Sequence, residues 1–195
     1  ACFSPEGALA VLTGSSGPLI NWSRFNIPAP GSPNTVATRG SGALEILSSA
    51  GLTNLQTYLS TVSNNFTIEF WVKPAETIVL KTPGFGTGAI TAGTSGQKYP
   101  IYPSIPFETG VAGAGVSVGT NGVQVVESAD SDMPVTLSWA GTITDWTHVA
   151  VVYSNRTPTL YINGVYAASG LQSQKSTVHP STVLRGGTYG AMKGL

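Results

Sequence analysis

Hydrophobic and polar positions alternate with a period of two through several short runs, and turn residues separate the runs. The clearest run is Phe66-Thr67-Ile68-Glu69-Phe70-Trp71-Val72. Alternate side chains of a strand point to opposite faces, so Phe66, Ile68, Phe70 and Val72 share one face and Thr67, Glu69 and Trp71 the other. Pro74 cannot donate to a ladder and ends the run. Residues 147–153 form a near-continuous β-branched run. The shared period predicts that Phe66, Ile68, Phe70 and Val72 pack against Val149, Val151 and Tyr153 or their sheet partners.

Two hairpins follow from turn chemistry. Runs at residues 115–119 and 123–127 flank Thr120-Asn121-Gly122, and runs at 159–162 and 165–168 flank Asn163-Gly164. An Asn-Gly pair between alternating runs is the strongest short hairpin signal, and Asn163-Gly164 suits a type I′ turn. Residues 134–140 read as a further strand, and Asn155-Arg156-Thr157-Pro158 reads as a turn.

Three stretches are less regular. Residues 9–12 and 43–47 have strand patterning, and Trp22, Phe25 and Ile27 suit the edge of a core. Leu52, Leu55, Tyr58 and Leu59 have helical spacing, but Thr53, Asn54 and Thr57 favour a loop or a single turn. Residues 81–109 hold five glycines and four prolines, which predicts a long surface excursion with short strands. Many short strands, regular turns and almost no helix predict an all-β, antiparallel two-sheet jelly-roll sandwich. One domain spans residues 1–195, with 1–41 a less regular N-terminal extension.

Composition narrows the function classes. Hydrophobic residues make up 41% of the chain, enough for a sizeable core. Charged residues make up only 9%, against roughly 25% in a typical soluble domain. Nine basic and nine acidic residues cancel, so there is no basic stripe for nucleic acid. No apolar run approaches the roughly 20 residues of a transmembrane helix. A neutral, weakly charged surface suits a module held among neighbouring domains or subunits. The lone Cys2 excludes an internal disulfide and leaves a free, bridged or lipidated thiol open, since Ala1-Cys2 is similar to the end of a bacterial lipobox.

Three segments, in order, resemble laminin G-like (concanavalin A-like) domains. They are FTIEFWVKP at residues 66–74, DWTHVAVVYSNRTPTLYINGVYAASG at 145–170 and VLRGGTYGAMKG at 183–194. The stretch GAGVSVGTNGVQVVE at 113–127 is similar to variants of this module in large secreted bacterial proteins. The resemblance covers roughly residues 42–195. It implies two antiparallel sheets stacked face to face, with carbohydrate-, protein- or calcium-binding loops at the rim. Such domains continue after the last segment into a strand resembling D-E-V-R-I-[WY]; this sequence stops at Leu195, so that strand is expected to be missing.

Catalytic chemistry finds little support. His148 lies among Val149, Val151 and Tyr153, which reads as a core or interface histidine, and nothing pairs it with His179. A hydrolytic triad or metal-bound water needs such pairing. Glucanases of the same fold need two facing carboxylates, often as E-x-D-x-x-E, and that motif is absent. Glu127, Asp130 and Asp132 cluster near Pro134 and read either as a solvated turn or as carboxylate ligands for calcium. Gln97, Tyr99 and Tyr102 are the candidate sugar-binding group, because sugars stack on exposed rings beside amides. The alternative is that both tyrosines pin the excursion to the sheet. Trp71, Trp139 and Trp146 read as core or structural residues. The Asn-x-Ser/Thr sequons at Asn21, Asn65 and Asn155 matter only in a eukaryotic secretory setting.

The expected function is therefore a non-catalytic binding, adhesion or structural assembly module. It would belong to an extracellular, cell-surface or virion-surface protein, with a glycan or protein ligand and no required cofactor beyond a candidate calcium ion. The alternative is a glucanase-type carbohydrate-active enzyme.

Overall fold

The computed structural model describes residues 61–86, 89–104, 108–129, 132–181, 183–184 and 189–194. The features expected at residues 1–60, Cys2 included, and at Asp130 lie outside the described residues. Ten strands form two sheets. They are β1 (Phe66–Val72), β2 (Ile101–Tyr102), β3 (Val111–Gly119), β4 (Gly122–Ser128), β5 (Val135–Ala140), β6 (Thr147–Ser154), β7 (Thr157–Ile162), β8 (Val165–Ser169), β9 (Thr177–Pro180) and β10 (Val183–Leu184). The smaller sheet has the order β1-β6-β7-β8. The larger runs β10-β2-β3-β4-β5, and β9 pairs with β3 in parallel, the one parallel ladder among the described strands.

The predicted period-two faces hold. Phe66 pairs with Tyr153, Ile68 with Val151 and Phe70 with Val149. Ile68, Phe70 and Val72 share one buried cluster with Val149, Val151 and Tyr153, and Phe66 packs against it. The larger sheet supplies Ala112, Ala114, Val116, Val118, Val123, Val125 and Leu137 to the same core. Met192 closes it from the C-terminal segment.

Turn chemistry also holds. Asn163 and Gly164 have φ of 51° and 79°, the two left-handed residues of a type I′ hairpin. The turn expected at residues 155–158 is shorter. Asn155 and Arg156 alone take positive φ, and Thr157 already pairs with Ser154 in β7.

The excursion at residues 81–109 contains a short strand, β2, as expected. Its described residues on either side of β2 lie against the outer face of the larger sheet rather than standing clear of it. Gly113 and Gly115 make this possible. A Cβ on Gly113 would overlap the Ser104 carbonyl, and one on Gly115 would overlap Pro103, so the covering chain rests on bare backbone. Polar side chains of the sheet then pair with the cover. The Gln97 amide donates to Gln124 Oε1 at 3.0 Å, and the Gln124 amide donates to the Lys81 carbonyl at 2.7 Å. The Lys98 N–H donates to Ser117 Oγ at 2.9 Å.

One irregularity interrupts the register of the larger sheet. Val125 pairs with Leu137 but Val126 with Val135, so β5 carries one extra residue, Thr136. Such a bulge re-aims its side chain, and the Thr136 hydroxyl donates to the Val125 carbonyl at 3.5 Å. No helix among the described residues is long and apolar enough to cross a membrane.

Candidate functional site

Period two in β4 sends Val123 and Val125 into the core and Glu127 after them. Glu127 is 1% exposed. A buried carboxyl group needs partners, and two hydroxyls supply them. Tyr153 Oη donates to Oε1 at 3.1 Å, and the Ser173 hydroxyl donates to Oε2. Phe66 stacks on the Tyr153 ring at a centroid distance of 4.6 Å, which fixes the phenol.

Burial is the largest influence on Glu127 and pushes its pKa from 4.5 up to about 7. The hydrogen bonds from Ser173 and Tyr153, and then the charges of Arg156 and Lys175, oppose that rise. Burial, then the neighbouring Glu127, holds the Tyr153 phenol well above its ordinary value. This carboxyl group therefore changes charge near neutrality.

The loop after β8 completes the site. The Leu171 N–H donates to the Thr136 carbonyl at 2.8 Å, and the Ser173 N–H donates to the Arg156 carbonyl at 3.0 Å. The Arg156 guanidinium donates to the Lys175 carbonyl at 2.8 Å. These bonds hold Ser173, Gln174 and Lys175 over Glu127. A cleft of about 170 Å3 lies there, lined by Phe85, Glu127, Asp132, Pro134, Gln174 and Lys175 among others. Phe85 and Pro134 supply apolar surface; the other four supply a carboxyl, a carboxylate, an amide and an ammonium group. Asp132 is positioned by paired backbone hydrogen bonds with Ala129, at 2.9 and 2.8 Å.

The structure thus brings Glu127 and Asp132 into one cleft, while Asp130 lies outside the described residues. The donor set suits calcium poorly. Both Glu127 oxygens already accept hydroxyl hydrogen bonds, and the Lys175 ammonium lines the same space. Calcium needs six to eight oxygen ligands. Among the described residues no group of three or more His, Cys, Asp or Glu side chains could hold a metal ion.

Gln97, Tyr99 and Tyr102 do come together, but not as an open platform. Gln97 is 1% and Tyr99 0% exposed, so neither presents a surface to a sugar. Tyr99 Oη donates to the Gly93 carbonyl at 2.7 Å, and Tyr102 meets Tyr99 edge-on with centroids 5.3 Å apart. The excursion packs them inward because Gly113 and Gly115 let it approach the sheet.

The two histidines lie in different sheets. His148 lies on the outer face of β6, with Nε2 3.7 Å from Glu69 Oε2. His179 is buried in β9, and its Nδ1–H donates to the Val62 carbonyl at 2.7 Å. Trp139 packs partly buried against the core, as expected, whereas Trp71 lies half-buried on the outer face of β1.

Sequence reasoning missed Phe85, Ser173, Gln174 and Lys175, which come from loops distant along the chain. A signal did exist for Glu127. It continues the inward positions Val123 and Val125 of one alternating run, which marks it as a buried acid rather than a turn residue.

A laminin G family model, described as the concanavalin A-like lectin/glucanases superfamily, matches residues 48–193. Among solved structures, the chain is similar to domain 4 of AbnA, a GH43 extracellular arabinanase from Geobacillus stearothermophilus, in complex with arabinotriose. The identity is 20% and the TM-score 0.51, covering 85% of this chain and 72% of that one. At that identity the likeness bears on the fold alone. No curated protein matches the sequence.

Proposed function

Because the chain belongs to the concanavalin A-like lectin/glucanase superfamily, we propose that it is a non-catalytic carbohydrate-binding module of an extracellular or cell-surface protein. The observation that carries this reading is the cleft beside Glu127, where apolar surface from Phe85 and Pro134 meets polar groups of Asp132, Gln174 and Lys175. A sugar offers the complementary pair: C–H faces for the apolar wall and hydroxyls for carboxylate, amide and ammonium groups. At about 170 Å3 the space is smaller than the roughly 300 Å3 of drug-sized pockets, so it takes one sugar ring or a chain end. The arabinotriose complex of the similar domain, and that protein's extracellular setting, support the reading. The low charge of the chain supports a module seated beside neighbouring domains or subunits.

A second reading is favoured by one observation. Glu127, with its pKa near 7, and Asp132 line the same cleft, as an acid and a second carboxylate do in glycoside hydrolases. Two features weigh against it. Both Glu127 oxygens accept hydrogen bonds, from Tyr153 and Ser173, and the residue is buried, which disfavours its reaching a glycosidic bond. The outer face of the larger sheet, the broadest surface on which a catalytic groove could form, is covered by the excursion.

Titration calorimetry with arabinotriose and other neutral oligosaccharides tests the proposal. Wild type is expected to bind at least one, and Asp132→Ala to bind it more weakly. Release of reducing sugar from arabinan or β-glucan would replace the binding reading with the hydrolase.

A further inference from the structure

Two Asn-Gly pairs occur in the chain, at residues 121–122 and 163–164. Both close hairpins, β3 to β4 and β7 to β8. An asparagine amide is thermolabile. A glycine after it adds to the risk, because no Cβ shields the backbone nitrogen that can attack Cγ. The fold treats the two pairs differently. Asn121 is tied at both side-chain atoms: Nδ2 donates to the Ile78 carbonyl and Oδ1 accepts the Ile78 N–H, each at 2.9 Å. The Thr120 N–H donates to the Glu76 carbonyl at 2.9 Å, so residues 76–78 strap this turn. Gly122 is buried in β4, where a Cβ would overlap the Trp139 carbonyl.

The second pair has no strap. Asn163 and Gly164 are both exposed, and no atom lies within 4 Å of the Cβ position of Gly164. Asn163 Oδ1 accepts the His148 N–H at 2.9 Å. That bond aims a donor at the oxygen on which negative charge gathers when Cγ becomes tetrahedral. Nδ2, the group that must leave, makes no hydrogen bond to any described residue.

We propose that Asn163 is a spontaneous modification site, at which water converts the exposed amide to an aspartyl or isoaspartyl residue, while the fold protects Asn121 in the same dipeptide. Hydroxide takes the Gly164 amide proton, and the Gly164 nitrogen forms a bond to Asn163 Cγ. The Cγ–Nδ2 bond breaks, and Nδ2 takes a proton from water and leaves as ammonia. Water then opens the cyclic imide. Attack at Cγ gives an aspartyl residue, and attack at the main-chain carbonyl carbon gives an isoaspartyl residue. No oxidant or reductant takes part. Either product adds one negative charge to a chain whose nine basic and nine acidic residues cancel. The isoaspartyl product also routes the main chain through the side-chain carbon. This lengthens a two-residue turn and disturbs the pairing of Ile162 with Val165, at the start of the edge strand β8. The inference is independent of the carbohydrate reading.

The test incubates the full chain in mildly alkaline buffer made with heavy-oxygen water, once folded and once in urea. Peptide mapping by mass spectrometry reads residues 121 and 163 when the urea sample has reacted, and labelling by an isoaspartyl methyltransferase reads the isoaspartyl product. In urea neither turn is folded, and the two sites are expected to react at similar rates. In the folded chain Asn163 is expected to react at least about tenfold faster than Asn121, the factor set by breaking the two hydrogen bonds of the Asn121 side chain. Each event at Asn163 is expected to carry one heavy oxygen from the solvent. Gly164→Asn, which tolerates the left-handed turn, is expected to slow modification at Asn163 and to leave Asn121 unchanged. Equal rates at the two sites in the folded chain overturn the inference. So does an intact Asn163 in the folded chain when both sites have reacted in urea. A rate at Asn163 that Gly164→Asn does not change overturns the role of the Gly164 nitrogen.

Discussion

Tyr153 and Glu127 join the two sheets through one hydrogen bond, from the phenol of β6 to the carboxyl of β4, at 3.1 Å. Burial raises the Glu127 pKa from 4.5 to about 7, which links this contact to stability. The folded state holds the proton more tightly than the unfolded one. Between the two values the unfolded chain binds fewer protons, so stability falls as pH rises through this window. The full contribution is present below about pH 4.5 and is lost above about pH 7. The magnitude is about 3 kcal/mol, at about 1.4 kcal/mol per pKa unit. Urea denaturation at steps from pH 4 to pH 8 should show this decline in wild type. Glu127→Gln should flatten it.

Phe70 is 3% exposed and faces Val149. Truncation to Ala leaves a cavity that the closed sandwich cannot collapse to fill. The expected cost is about 3–5 kcal/mol, read as a lower denaturant midpoint with an unchanged slope.

The Asn163-Gly164 turn needs two left-handed residues. Gly164→Val forces a β-branched residue to φ near 79° and should destabilise by about 1–2 kcal/mol. Gly164→Asn, which tolerates that region, should cost less. Thermal melts of both variants measure the difference. No atom lies within 4 Å of the added Cβ, so crowding does not account for the loss.

Gly113→Ala should act differently. Its Cβ would overlap the Ser104 carbonyl rather than strain the backbone. The excursion must then lift from the larger sheet, weakening the contact made by the buried Gln97 and Tyr99. Limited proteolysis should cut the variant within residues 81–104 faster than wild type, before global unfolding.

The strands that face one neighbour were the readable part of the fold. Alternation in β1 and β6 named both core faces, and Asn163-Gly164 named its turn, because these signals lie within a few residues of each other. The excursion was readable only in part, for a physical reason. Its prolines report that it joins a ladder only briefly, as β2 does, but not that the rest packs flat on the sheet. That information sits in Gly113 and Gly115, on another strand. The cleft was hidden in the same way. Glu127 belonged to an inward row, yet its nearness in sequence to Asp130, Asp132 and Pro134 suggested an exposed turn. Ser173, Gln174 and Lys175 reach it only because Thr136 and Arg156 anchor their loop, and no local pattern encodes that.

The central claim is that the chain holds sugar without cleaving it. One set of nuclear magnetic resonance spectra follows both events, with isotope-labelled protein titrated with neutral oligosaccharides, arabinotriose included. The account requires amide shifts at Asp132, Gln174 and Lys175 that saturate with ligand, and sugar signals that stay unchanged over a day. New anomeric signals from shorter sugars would contradict it in favour of hydrolysis, and unmoved cleft amides at saturating sugar would contradict it outright.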